Sequence, residues 1–220
     1  MTLARHHTAC CTGQSAYVSK SSSSSAWVAC GGGATAPYVP ITDEGVDTEA
    51  FLEACEDLVK LFDLFGSKAF AVVQNDLTGN IAKIRNRYLA FPAESKTLER
   101  LVEHEKNEKK KDGTQGLLWL TRGLHFTYEG LRISQQNPGE ELSVSFTKGY
   151  ETTLKPYHSF VVKPVFGLAM KACPYRAALF EKLGPKDQVE VELEKWLTGL
   201  EKVVKRIQSF YEKGGYGKGL

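Results

Sequence analysis

The feature that most restricts this chain is the spacing of its apolar residues from Thr48 onward. In TEAFLEACEDLVKLFDLFG they fall at Phe51, Leu52, Cys55, Leu58, Leu61, Phe62 and Phe65, at intervals of three and four. Such intervals gather side chains on one face of an α-helix and scatter them over both faces of a strand. Thr48 reads as the N-cap of this helix and Gly66 as its stop. The pattern then recurs. A second helix is expected over 68–89, ended by Pro92, and a third starts near Ser95. Its charged continuation, Glu103 to Lys111, reads as a solvated face and turn. The fourth, over 114–135, is the most apolar and is broken by Asn137, Pro138 and Gly139. A fifth covers 140–154. A sixth has Pro156 near its first turn and holds His158 to Lys171, with Pro164 predicting a kink or a split. A short seventh covers 175–183. The last, over 186–212, repeats Val189, Leu193, Trp196, Leu197, Leu200, Val203, Val204, Ile207 and Phe210 along one face. Period-two alternation is absent, so the expected fold is all-α, with helix layers packed on each other and no internal repeat.

Upstream of this pattern the composition changes. Residues 1–42 contain Ser21 to Ser25, Gly31 to Gly33, Pro37 and Pro40, and no Asp or Glu precedes Asp43. Such a segment buries too little apolar surface to offset its ordering entropy, so it reads as a low-complexity, disordered extension, partly docked near Tyr38 to Ile41. Residues 43–220 are then the one folded domain. The scarcity of acid and abundance of serine also resemble a transit peptide, but there is no apolar core of a secretory signal. No run approaches the roughly 20 apolar residues that span a bilayer. The five cysteines are odd in number and irregularly spaced, which fits a reducing cytoplasm better than a disulfide framework, and no Cys/His cluster has metal-ligand spacing. Cys55 and Cys173 read as small core hydrophobes.

The formal net charge of +2 gives no electrostatic case for nucleic acid. The chain has no G-x-S-x-G, H-E-x-x-H or G-x-x-x-x-G-K-[ST]; its GGYGKGL tail follows a helix, whereas a phosphate loop follows a strand. No catalytic residue, cofactor or metal is therefore assigned. An enzyme using Asp76 and His158 on a lipid would lack an accompanying nucleophile or metal set. Other residues carry polar chemistry without a reaction. Asp76, Asn80 and Lys83 lie at i, i+4 and i+7, so one helix face presents an anion, an amide and a cation. That stripe can serve several hydroxyls at once, and it is equally what a salt-bridged surface face looks like. Trp119 lies among leucines with Arg122 one turn on; it reads as core or as a platform for a sugar ring. His158, amid Tyr157, Phe160, Val161 and Val162, reads as a satisfied core histidine or as a fixed donor in an apolar pocket.

Three segments together resemble the glycolipid transfer protein family. NDLTGNIAKI (75–84) matches its D-x-x-G-N-I-x-K-I helix, LLWLTRGLHF (117–126) its W-L-x-R-G-L segment, and LKPYHSFVVKPVF (154–166) its histidine-bearing segment, with ACPY (172–175) following. The similarity covers about 45–212 and is closest in wording to fungal members. It implies a two-layer sandwich of about eight helices enclosing a hydrophobic lipid pocket, and a carrier or sensor of one glycosphingolipid that performs no covalent chemistry. By resemblance, Asp76 binds the ceramide amide N–H and sugar hydroxyls, Asn80 and Lys83 bind sugar hydroxyls, Trp119 stacks on the first sugar, and His158 donates to the ceramide carbonyl. Phe62, Phe70, Val73, Phe126, Leu154 and Phe166 match positions lining the chain pocket.

Membrane docking is assigned by resemblance to Phe160, which stands where animal members have a tryptophan, to Lys171, which stands at a tyrosine position, and to Tyr216 for the family's C-terminal tyrosine. Relatives that carry ceramide phosphate have basic residues at the sites of Asn80 and Trp119, so sugar is expected over phosphate, with ceramide-1-phosphate transfer as the alternative. The expected contacts are a glycosphingolipid, a transient membrane surface and no nucleic acid. A scaffold reading also stands: KLFDLFG (60–66), after Glu53, Glu56 and Asp57, is similar to the acidic two-phenylalanine motif read by endoplasmic-reticulum membrane proteins, although its phenylalanines also fit core packing.

Overall fold

A computed structural model describes residues 39–66 and 68–220. The expectation of disorder over 1–42 therefore falls almost wholly outside the described residues. Eight α-helices stand among the described residues: α1 (Thr48–Leu61), α2 (Ala71–Ala90), α3 (Leu98–Glu105), α4 (Asp112–Gln136), α5 (Leu142–Thr152), α6 (Val162–Lys171), α7 (Arg176–Leu183) and α8 (Lys186–Gly214). They are preceded by one small antiparallel pair that the sequence reading did not anticipate, β1 (Ile41–Thr42) and β2 (Gly45–Val46), in register Ile41 to Val46 and Thr42 to Gly45. The fold is all-α, as the spacing predicts.

Helix ends depart from expectation for local reasons. Asp47, one residue before Thr48, is the N-cap of α1, its carboxylate accepting from the Ala50 N–H at 2.9 Å. After Leu61 the chain tightens into a 3₁₀ turn, Phe62–Phe65, and Gly66 ends it at a φ of 67°, where a side chain would be strained. The third helix, expected to start near Ser95, starts at Leu98, with Thr97 as its N-cap. The sixth helix is the main correction. Residues 153–161 form turns, and the helix begins at Val162, which puts Pro164 in the first turn, where its missing N–H costs nothing. The helix begins after these turns instead of breaking at Pro164, and His158 stands in the turn before it.

The central element is α4. Its glycines set the approach of α2: a Cβ at Gly116 would sit 2.9 Å from Lys83 Cβ and 3.0 Å from the Asn80 carbonyl, and one at Gly123 would sit 2.9 Å from Leu77. The two helices therefore run antiparallel in near contact. On another side, Tyr211 of α8 donates to the Thr114 carbonyl at 2.7 Å and Arg132 pairs with Glu194 at 2.6 Å, so α8 is antiparallel to α4 as well. The charged run 103–111 is mostly exposed, as expected, with one exception. Glu105 is 3% exposed; its carboxylate accepts from the Gly113 N–H at 3.1 Å, the Thr114 N–H at 2.6 Å and the Thr114 hydroxyl at 2.7 Å. It satisfies the orphan donors at the start of α4 and meets Arg87 at 3.6 Å.

Candidate functional site

The α2 stripe is a connected set. Asn80 is buried, and its amide donates to the Asp76 carbonyl at 2.9 Å, one turn back. Its side-chain oxygen accepts from Lys83 Nζ at 3.4 Å. Asp76 is half-buried. Burial pushes its carboxyl above the ordinary 3.8, and the Lys83 charge and an Asn80 hydrogen bond offset this only in part. The charged form is thus held where water solvates it incompletely, which favours a ligand that brings its own donors.

Trp119 enters from α4. It lies between Gly116, packed on Asn80 and Lys83, and Gly123, packed on Leu77, so the close helix contact carries its backbone past the stripe. Its indole is half-buried. The Arg122 guanidinium lies 4.7 Å from the indole centroid and 3.8 Å from that of Tyr157. His158 faces the indole nearly parallel, at 6.1 Å and 17°. It also touches Phe166 at 4.4 Å, and its Nδ1 is 3.1 Å from Tyr150 Oη. Two groups of expected residues thus assemble: Asp76, Asn80 and Lys83 on α2, and Trp119 with His158 between α4 and the turn before α6.

All six expected pocket residues are buried: Phe62, Phe70, Val73, Phe126, Leu154 and Phe166. Four belong to one succession of touching rings. Phe62 meets Phe70 at 5.9 Å, Phe70 meets Phe65 at 4.7 Å, Phe65 meets Phe146 at 6.0 Å, and Phe146 meets Phe126 at 5.6 Å. The line goes on through Tyr150 to Phe166 and His158. Sequence reasoning missed Phe65, Phe146 and Tyr150 as members. The first two carry the ordinary apolar spacing of core residues, and nothing in sequence marks Tyr150 as a partner of His158 on the next segment.

Phe160 is 85% exposed, and Val161, Val165 and Leu168 beside it are exposed as well, as is Lys171. Tyr216 differs: it is half-buried and stacked on Phe210 at 4.8 Å. A groove of about 510 Å³ opens beside Arg122 and Tyr157, with His125, Gln208, Tyr211 and Lys218 among its walls. Among the described residues, no three His, Cys, Asp or Glu side chains converge as metal ligands, and no helix is long and apolar enough to cross a membrane. Phe62 and Phe65 of the two-phenylalanine segment are both buried.

Known proteins match both the sequence and the shape. The family model described as glycolipid transfer protein (GLTP) matches residues 46–185. A glycolipid transfer protein of Aureobasidium melanogenum is 50% identical over 173 residues, covering 78% of this chain and 86% of the relative. The crystal structure of HET-C2, a fungal glycolipid transfer protein, superposes with a TM-score of 0.76 at 45% identity, covering 81% of this chain and 93% of that one. The GLTP-fold structure of FAPP2, described as selecting simple glycosphingolipids, superposes with a TM-score of 0.76 at 30% identity, covering 84% of this chain and 95% of that one. Sequence and fold agree over α1 to α7, which carry Asp76, Asn80, Lys83, Trp119 and His158, and the chain belongs to the glycolipid transfer protein family.

Proposed function

We propose that this chain binds a single glycosphingolipid and moves it between membranes, or senses it, without covalent chemistry. The observation that carries this reading is the linked stripe of Asp76, Asn80 and Lys83 on α2, with the backbone that bears Trp119 brought close by the α2–α4 approach at Gly116 and Gly123. The stripe offers an acceptor, an amide of both polarities and a cation, which suit sugar hydroxyls, and Trp119 offers an aromatic face, which suits the C–H side of a sugar. Asp76 takes the ceramide amide N–H and sugar hydroxyls, Asn80 and Lys83 take further hydroxyls, and Trp119 stacks on the first ring. His158 donates to the ceramide carbonyl. Hydrocarbon chains lie along Phe62, Phe70, Val73, Phe126, Leu154 and Phe166. Each CH₂ kept out of water there is worth about 0.8 kcal/mol, so the carrier bypasses the slow unassisted departure of lipid from a bilayer.

Docking falls to the exposed face of Phe160, Val161, Val165 and Leu168, an apolar patch of the kind that meets membranes. Lys171 at the end of α6 meets anionic headgroups. Tyr216 would have to leave Phe210 to join them. In this reading residues 43–220 are the transfer domain, working in the cytoplasm with transient membrane contact. A receptor on the endoplasmic reticulum that read Phe62 and Phe65 would have to draw both from the core.

One observation favours a second reading, transfer of ceramide-1-phosphate. Arg122 makes ring contacts with Trp119 and Tyr157 and, among the described residues, no ion pair, so it is free to meet a phosphate. A vesicle-to-vesicle assay with fluorescent glucosylceramide, galactosylceramide and ceramide-1-phosphate separates the two. The expected result is faster transfer of the sugar lipids; faster transfer of the phosphate lipid would replace the first reading with the second.

A further inference from the structure

A neutral histidine offers either a donor or an acceptor from Nε2, and the group on Nδ1 decides which. Here that group is Tyr150, with Oη 3.1 Å from Nδ1. The distance admits two arrangements. Either the tyrosine O–H donates to Nδ1 and the ring hydrogen sits on Nε2, or Nδ1–H donates to Oη and Nε2 is left as an acceptor.

Hydrogen accounting separates them. Tyr150 is 4% exposed, with Phe166 stacked on it at 5.5 Å and Phe126 edge-on at 6.3 Å. Among the described residues, His158 is the one hydrogen-bond partner of its hydroxyl. Were Nδ1–H the donor, the Tyr150 O–H would have no protein acceptor among the described residues, and an unspent donor on a largely buried side chain costs more than a typical hydrogen bond is worth. The arrangement that leaves no orphan has Tyr150 donating.

We propose that Tyr150 is a positioning residue that holds His158 in its Nε2–H tautomer, so that the histidine offers the lipid a donor. Phe166 at 4.4 Å and Trp119 at 6.1 Å hold the plane of the imidazole, and the Tyr150 hydroxyl sets which nitrogen carries the hydrogen. The consequence is selectivity: a carbonyl oxygen, such as that of a ceramide amide, finds a partner there, and a group that can only donate does not. Both groups stay neutral near pH 7, since burial raises the Tyr150 phenol, and burial followed by the nearby Lys163 charge lowers the His158 imidazole. The selectivity claim rests on His158 being a lipid contact; the tautomer claim does not.

The test combines the imidazole ¹⁵N spectrum of the lipid-free protein with glucosylceramide transfer, for the wild type and Tyr150→Phe. The phenylalanine keeps the ring contacts and removes only the hydroxyl. The wild type is expected to carry its hydrogen on Nε2 alone. The variant is expected to give a mixture of tautomers and to transfer more slowly by about tenfold, the scale of one lost hydrogen bond. A wild-type spectrum with the hydrogen on Nδ1, or an unchanged tautomer in the variant, would overturn the inference whether or not the variant folds well. A changed tautomer with undiminished transfer would support Tyr150 as the tautomer-setting group and overturn instead the assignment of His158 to the lipid.

Discussion

At the scale of single residues, the burial of Asp76 has a measurable cost in stability. Its carboxyl lies above its ordinary 3.8 because burial outweighs the help of Lys83 and Asn80. The folded state therefore holds this proton more tightly than the unfolded chain does. The group favours folding at pH below 3.8, and that contribution is lost as pH rises through the raised value towards neutrality. Asp76→Asn removes the charge and keeps the shape. It is expected to melt at a slightly higher temperature than the wild type near neutral pH, to lose that advantage at strongly acid pH, and to transfer glucosylceramide more slowly. Thermal melts at both pH values with a transfer assay check this; a variant less stable near neutral pH would mean that the Lys83 attraction outweighs burial. The candidate residues Asp76, Asn80, Lys83, Trp119 and His158 were legible as motif positions, because the three motifs are short and local. Tyr150 was not, since its relation to His158 depends on how the turn 153–161 folds back, and periodicity does not encode that.

At the scale of elements, spacing predicted every helix and misjudged several ends. The reason is visible at Glu105. In sequence it sits in a charged run and looks solvated, yet it is 3% exposed and caps α4 from the end of α3. A cap supplied by another element leaves no local pattern to read. The same holds for the sixth helix: Pro156 and Pro164 suit first-turn positions equally well, and the spacing does not say which of them opens it. The close approach at Gly116 was likewise unreadable, because a helix-interior glycine alone says nothing about what lies against it. Glu105→Ala tests the cap. It leaves the Gly113 and Thr114 donors unmatched and strips a carboxylate from buried Arg87, so unfolding in urea should lose about 2 kcal/mol of stability. A loss within about 0.5 kcal/mol, the range of ordinary surface substitutions, would contradict the role given to this carboxylate.

At the scale of the whole molecule, one line of rings joins the interior to His158 and Trp119, two of the residues proposed for the headgroup. It runs from Phe62 through Phe70, Phe65, Phe146, Phe126, Tyr150 and Phe166 to His158, which faces Trp119. Taking in hydrocarbon chains along that line, as proposed, requires these contacts to part, while Asn80 keeps its links to the Asp76 carbonyl and to Lys83. Under the proposed function, polar recognition falls to the α2 face and chain accommodation to the line of rings. Native mass spectrometry of the protein after incubation with vesicles holding equal amounts of glucosylceramide and ceramide-1-phosphate tests this directly. The expected spectrum contains the protein alone and the protein with one glucosylceramide; a dominant ceramide-1-phosphate complex, or no retained sphingolipid, would contradict a glycosphingolipid carrier.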